Sequence, residues 1–219
     1  MIISWEGQLL PNEKSLLTSR QKMQGRNHPK RGSRIKVEPI RNKDAIEVIK
    51  ASLADHPRNL CLFVLGINTA FRANELVSLR VGDVSDLKEG DGLELKQKKN
   101  MKYRHTSLNG ASYRALQNWL SAHPYPNPDA PLFPSQRGGA LSVNTVWKLV
   151  KQWCHEAGLK GNYGSHTLRK TWGYHQRMQR GASVALLMKA FGHASEAQTL
   201  AYLCIQPEEI RRLYLDMEL

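Results

Sequence analysis

The chain's 219 residues are 41% hydrophobic, enough for one sizeable domain with a true core. Its 32 Lys/Arg against 19 Asp/Glu leave a net charge of +13 and a pI of about 9.8, which favours a polyanionic partner, nucleic acid above all. No apolar run reaches membrane-span length, the opening Met1-Ile2-Ile3-Ser4-Trp5-Glu6 lacks a signal-peptide layout, and Cys61, Cys154 and Cys204 show no CxxC spacing, which excludes a helical membrane protein and a disulfide or zinc scaffold.

The charge is uneven. Residues 1–43 hold ten Lys/Arg and three Glu, a net +7, and the remaining residues hold +6. Around Asn27-His28-Pro29-Lys30-Arg31-Gly32-Ser33-Arg34 no periodicity develops. Residues 1–38 are therefore expected to form a flexible basic arm, with Lys30, Arg31, Arg34 and Lys36 lying along phosphates. Folded structure is expected from near Val37-Glu38-Pro39-Ile40. Apolar residues at 45, 46, 48, 49, 53 and 54 predict a helix over Lys43 to Ala54. Pro57 can open a second helix, and Asn59 to Ile67 is apolar almost all round, so it should be buried. Asn68-Thr69-Ala70-Phe71 breaks it, and a helix resumes over Arg72 to Leu79.

Asp91-Gly92 is a turn signal. Leu93-Glu94-Leu95, a turn at Asn100-Met101-Lys102 and Tyr103 to Leu108 then predict a β-hairpin. Ser112 to Leu120 reads as a helix, and the five prolines from Pro124 to Pro134 make His123 to Pro134 a loop. The rest is helical: Ser142 caps Val143–Ala157 and Gly158 stops it; His166 to Gln179 ends at Gly181; Ala182 to Ala190 ends at Gly192. Ser195 to Leu203 bears Tyr202, and Pro207 opens a last helix to about Met217. All three cysteines read as reduced core residues.

Several residues in this layout can handle phosphate. His166 and Arg169, at i and i+3, share a helix face, and a guanidinium fits phosphate oxygens through two parallel hydrogen bonds. Glu75, three residues after Arg72, can steady that arginine. Taken singly, each of these is ordinarily a surface pair, His193 an ordinary helix-end residue and Tyr202 an ordinary core tyrosine.

Their order and spacing carry more. The run Asn68-Thr69-Ala70-Phe71-Arg72-Ala73-Asn74-Glu75-Leu76-Val77-Ser78-Leu79 resembles the first-arginine box of the tyrosine recombinase (phage integrase) family. His166-Thr167-Leu168-Arg169 resembles its HxLR box, and Phe191-Gly192-His193 with Tyr202 nine residues on resembles its LGH…Y box. Lys99-Asn100-Met101-Lys102-Tyr103-Arg104-His105-Thr106-Ser107-Leu108 is similar to its KGxKxRxxPL segment. The resemblance spans roughly residues 38–215, with the boxes in the family's order.

It implies an α+β fold, mostly α-helical with a small antiparallel β-sheet, with 39–219 as the catalytic domain and its C-terminal helix. Tyr202 would be the nucleophile, Arg72 and Arg169 the clamp on the non-bridging oxygens, and His166 and His193 further phosphate contacts. Lys99 would protonate the departing 5′ oxygen; Lys102 and Arg104 would contact DNA. The implied partners are double-stranded DNA attachment sites and further copies of the chain, dimer to tetramer, with no membrane, metal or other cofactor. The implied location is cytoplasmic and nucleoid-associated.

The chemistry is consistent with those roles. A free tyrosine, pKa about 10, is ionised in about one molecule in a thousand at neutral pH, a cost of about 4 kcal/mol that a base or nearby cations must offset. Preorganised positive charge is what phosphoryl transfer most needs.

The sequence also departs from the pattern. Ser107 stands where proline is usual and Phe191 where leucine is common. Lys96, Lys98, Lys99 and Lys102 crowd one hairpin; Lys99 is chosen for its spacing to Lys102 and Arg104, with Lys98 the runner-up. About 38 residues precede the catalytic domain, too few for the helical clamp domain of most relatives, so a minimal form and a fragment are both open. So are a cis or trans action of Tyr202, and packing of the last helix on its own domain or on a neighbour. A type IB topoisomerase, a catalytically idle DNA-binding protein of the same fold and a basic RNA-binding or structural protein are the rival readings.

Overall fold

Short polar side chains start five of the helices. In the computed structural model, which describes residues 36–96, 103–216 and 218, Asn42 caps α1 (Lys43–Ser52) by accepting from the Asp44 N–H. Asn109 does the same for α4 (Gly110–Ser121) at Ser112, and Ser142 for α5 (Val143–Glu156) at Thr145. Ser183 caps α7 (Val184–Phe191) at Leu186, and Ser195 caps α8 (Glu196–Leu203) at Gln198. Each such cap stabilises its helix by about 1 kcal/mol.

The centre of the fold is α2 (Pro57–Asn68). Pro57 occupies its first turn, and Cys61 to Gly66 are all buried. It lies between α4 and α6 (Thr167–Arg180). A Cβ at Gly66 would sit 2.4 Å from Leu168 Cδ1 and 2.9 Å from Leu168 Cβ, so the α2–α6 approach requires glycine there. Ile40, Ile49, Phe63, Leu76, Leu116, Phe133, Val150 and Trp153 extend this core across α1, α3 (Ala73–Ser78), α4 and α5.

The expected hairpin is present. β1 (Gly92–Lys96) pairs antiparallel with β2 (Tyr103–Ser107), Leu93 opposite Thr106 and Glu94 opposite His105. The turn between them, with Lys98, Lys99 and Lys102, lies outside the described residues, as do Lys30, Arg31 and Arg34. The sequence did not announce a second hairpin, β3 (Pro134–Ser135) with β4 (Gly138–Ala140). Its two or three residues per strand are too short to alternate. The turn is Gln136-Arg137, and the available signal was Gly138-Gly139, which open β4 with φ values of +93° and +32°.

Two other expectations are corrected. Arg72 is the extended residue before α3, not its first helical residue. Cys204 is half-buried and ends α8 with φ +55°, whereas Cys61 and Cys154 are buried core thiols whose ionisation burial suppresses. The last helix, α9 (Pro207–Leu215), has no buried residue. It is tied to its own domain by Tyr174, whose hydroxyl donates to Glu209 and is pushed up to about 12 by burial and that carboxylate. The architecture is α+β, mostly helical with small antiparallel sheets.

A second, smaller cluster stands apart from the main core. Ala70, Leu187, Phe191 and Leu203 form it, with Trp172, Ala182 and Tyr202 packed against it. It gathers the end of α2, one face of α6, and α7 and α8 at one place.

Candidate active site

Arg169 is the joint of that place. It is 1% exposed, and its guanidinium donates to the Ala70 carbonyl just after α2 and to the Phe191 carbonyl at the end of α7. Ala70 sits at φ +55°, a conformation unfavourable for a residue with a Cβ, within the sharp turn between α2 and α3. One side chain thus holds together segments about a hundred residues apart. Its flat cation lies 4.8 Å from the Phe191 ring centroid and 5.9 Å from that of Tyr202.

Two residues beyond Ala70 comes Arg72. Glu75 accepts from its backbone N–H at 2.6 Å and from its side chain at 2.7 Å. The Glu75 side chain is 8% exposed, so this is a half-buried, doubly bonded arrangement and more than the surface pair expected of Arg72 alone.

Tyr202, on the last turn of α8, places its hydroxyl 3.1 Å from His166 Nδ1. Its ring meets His193 edge-on at 5.0 Å and Phe191 at 5.1 Å. His193 stacks on Phe191 with centroids 4.9 Å apart and 23° between the planes. Its Nδ1 lies 3.1 Å from Thr199 Oγ1, which donates to the Ser195 carbonyl. This contact orients the His193 ring, and its direction follows the ring's tautomer.

Burial lowers the His166 pKa, and the charges of Arg169, Lys170 and Arg72 lower it further. Its neutral form is therefore favoured, and with the proton on Nε2 its Nδ1 accepts from the Tyr202 hydroxyl. Burial also lowers His175, followed by Lys43, against the opposing hydrogen bond it donates to the Ile40 carbonyl. Both folded-state values lie below the unfolded value of about 6.5, so below that pH the unfolded chain takes up protons that the fold resists. The stabilising difference is present above about pH 6.5 and is lost as pH falls through the folded values. Urea titrations from about pH 7.5 to about pH 5 are expected to show falling stability, with a shallower fall in His166→Asn and in His175→Asn. Equal slopes in wild type and both variants would contradict this assignment.

Of the sequence-predicted residues, the structure brings His166, Arg169, His193 and Tyr202 into mutual contact, and the charge of Arg72 reaches His166. Lys36 is exposed, and Arg104 lies on β2. The sequence reading missed Lys170, Thr199 and the acceptor carbonyls of Ala70 and Phe191. Lys170 adjoins the HxLR box directly, and Thr199 lies one helical turn past Ser195, which were the available signals. Among the described residues, no group of three His, Cys, Asp or Glu is placed to hold a metal ion, and no helix is long and apolar enough to cross a membrane.

Residues 39–209 match the Phage integrase family. A probable integrase/recombinase from Bacillus subtilis, YoeC, is 31% identical over 81% of this chain and 95% of its own length. The tyrosine recombinase XerD of Corynebacterium glutamicum is 29% identical over 72% of this chain, but only 51% of its own length is covered. Among solved structures, the XerH site-specific recombinase bound to palindromic difH substrate in a post-cleavage complex superposes with a TM-score of 0.66 at 25% identity, over 83% of this chain and 53% of that one. With the arginine, histidine and tyrosine boxes gathered at one site and a family match over most of its length, this chain belongs to the phage integrase family.

Proposed function

We propose that this protein is a site-specific DNA recombinase that cuts and rejoins double-stranded DNA through a 3′-phosphotyrosine intermediate. The observation that carries the reading is the Tyr202 hydroxyl on His166 Nδ1 at 3.1 Å, with the Arg169 cation against the same tyrosine. In the cleavage step Tyr202 Oη bonds to the scissile phosphorus as the P–O5′ bond breaks. The phenolic proton passes to His166, and the departing O5′ takes a proton from Lys99, with Lys98 as the alternative donor. Arg72, Arg169 and His193 stabilise the five-coordinate phosphorane. Because the phosphotyrosine bond conserves the energy of the phosphodiester, the reverse attack by a 5′-hydroxyl religates without ATP, and the charge is carried by side chains without a metal ion.

The basic arm, with Lys30, Arg31, Arg34 and Lys36, and the hairpin residues Lys102 and Arg104 would supply backbone contacts that position the duplex without reading its sequence. Pairing of two duplexes would call for a dimer to tetramer of the chain on DNA. The chain spans about half the length of XerD.

The test uses nicked suicide duplexes, chosen by binding selection from a random pool, mixed with wild type and Tyr202→Phe in the presence of a chelator. A denaturant-resistant protein–DNA band with wild type and none with Tyr202→Phe is the expected result. Tight binding with no band for either protein would replace this reading with that of an idle DNA-binding protein. Relaxation of supercoils with no sequence preference would favour a type IB topoisomerase.

A further inference from the structure

Lys170 has no role in the scheme above, yet its position is unusual. Its residue is 7% exposed, and among the described residues its ammonium has no carboxylate partner. Its neighbours are the Cys204 thiol, to which it donates at 3.1 Å, and the face of the Tyr202 ring, with Nζ 4.7 Å from the centroid. A buried ammonium without a counter-charge is costly, and such groups cluster at functional sites where a negative charge develops. The group beside it that gains negative charge in the reaction is the Tyr202 phenol.

We propose that Lys170 is a positioning residue that acts through Tyr202, its buried charge favouring the phenolate and holding the ring for attack. This rests on the recombinase reading of the site. The arrangement places the cation on the ring face, where it does not compete with His166 for the hydroxyl. Cys204 accepts from the ammonium: it ends α8 two residues after Tyr202 with a left-handed backbone, and its thiol reaches Lys170 of α6. Among the described residues, the other titratable or charged groups against Tyr202 include His166 beside the hydroxyl, Arg169 from α6 and His193 from the α7–α8 turn. Arg72 acts on this group through His166. Of these, Lys170 is the closest cation to the Tyr202 ring.

The test compares wild type, Lys170→Met, Lys170→Gln and Lys170→Arg. Met removes the charge at similar length. Gln removes it while keeping a donor for the Cys204 thiol, in case Met does not fold. In protein carrying 13Cζ-tyrosine without DNA, with the Tyr202 signal assigned by its loss in Tyr202→Phe, the ionisation midpoint of Tyr202 is read directly. The pH profile of adduct formation on the suicide duplex is measured alongside. Removing a charge at this distance is expected to raise the midpoint by about one pH unit and to move the rising limb of the rate profile by a similar amount, about tenfold in rate at neutral pH. Arg is expected to restore most of both.

An unmoved midpoint in the folded neutral variants, with rates lowered equally at every pH, would overturn the proposal and leave Lys170 a packing residue. A moved midpoint in a protein whose wild type forms no adduct would uphold the electrostatic coupling and overturn the recombinase reading instead.

Discussion

Replacing Arg169 by Lys is expected to cost both the fold and the chemistry, despite conserving the charge. A lysine ammonium is compact and has no planar fork, so it cannot span the Ala70 and Phe191 carbonyls while lying flat between the Phe191 and Tyr202 rings. At least one carbonyl loses its partner beside a residue that is 1% exposed, and each such orphan costs about 1–3 kcal/mol. Chemical denaturation should show a loss in that range for Arg169→Lys and a larger one for Arg169→Met, which strands both carbonyls. Adduct formation should fall by about 10²-fold or more, the scale seen when one preorganised charge donor is removed from a transition state. Wild-type stability in Arg169→Lys would remove the argument that this side chain joins the α2–α3 turn to α7.

Gly173→Ala is expected to damage the site from a position that touches no proposed DNA contact. A Cβ there would lie 2.2 Å from Phe191 Cζ, 2.9 Å from Phe191 Cε2 and 3.3 Å from Leu203 Cδ2. Alanine's helix propensity favours the change by about 1 kcal/mol. Overpacking a closed core costs about 1–3 kcal/mol, and Phe191 is fully buried, so the net effect should be destabilising. The displaced ring is the one on which His193 stacks and whose backbone accepts from Arg169, so adduct formation should fall by about tenfold as well. Adding Phe191→Leu, which removes the clashing Cζ, should recover most of the stability in a double-mutant cycle. Additive losses would mean that residue 173 and the ring do not press on each other.

This pair also shows where sequence reasoning reached its limit. Phe191 stood out as a departure from leucine, and nothing in the sequence marked Gly173. Only the crossing of α6 with α7 reveals that the larger ring occupies the space the glycine leaves. The helices themselves were legible because caps and stops are local: Ser142, Gly158, Gly181 and Gly192 each act within a turn of their own position. The candidate site residues that the structure gathers were legible through their order in three of the four boxes. What tied those boxes together was not legible, because it is carried by the backbone carbonyls of Ala70 and Phe191, which any residue type can present. Lys170 escaped for a related reason. A lysine on a helix is ordinarily solvated, and its burial depends on the return of α8 to place Cys204 and Tyr202 over it. The β3–β4 hairpin was hidden by its brevity within a proline-rich stretch.

On the proposed reading, the small cluster under Tyr202 bears on when the chain would cut. α7 and α8 rest on a small cluster of Leu187, Phe191 and Leu203 with Ala70 of the α2–α3 turn, apart from the large core around α2. Segments held by few apolar contacts open at a fraction of the free energy of global unfolding. Opening there would withdraw Tyr202, the proposed nucleophile, together with His193 and the Phe191 anchor of Arg169, while the rest of the domain kept its shape. Readiness to break DNA is then a population, set by how often this corner is closed, and grip on the duplex is a separate quantity. A partner that braced α7 and α8 would arm the chain without touching a reacting atom, and one that pried them away would leave it bound and harmless.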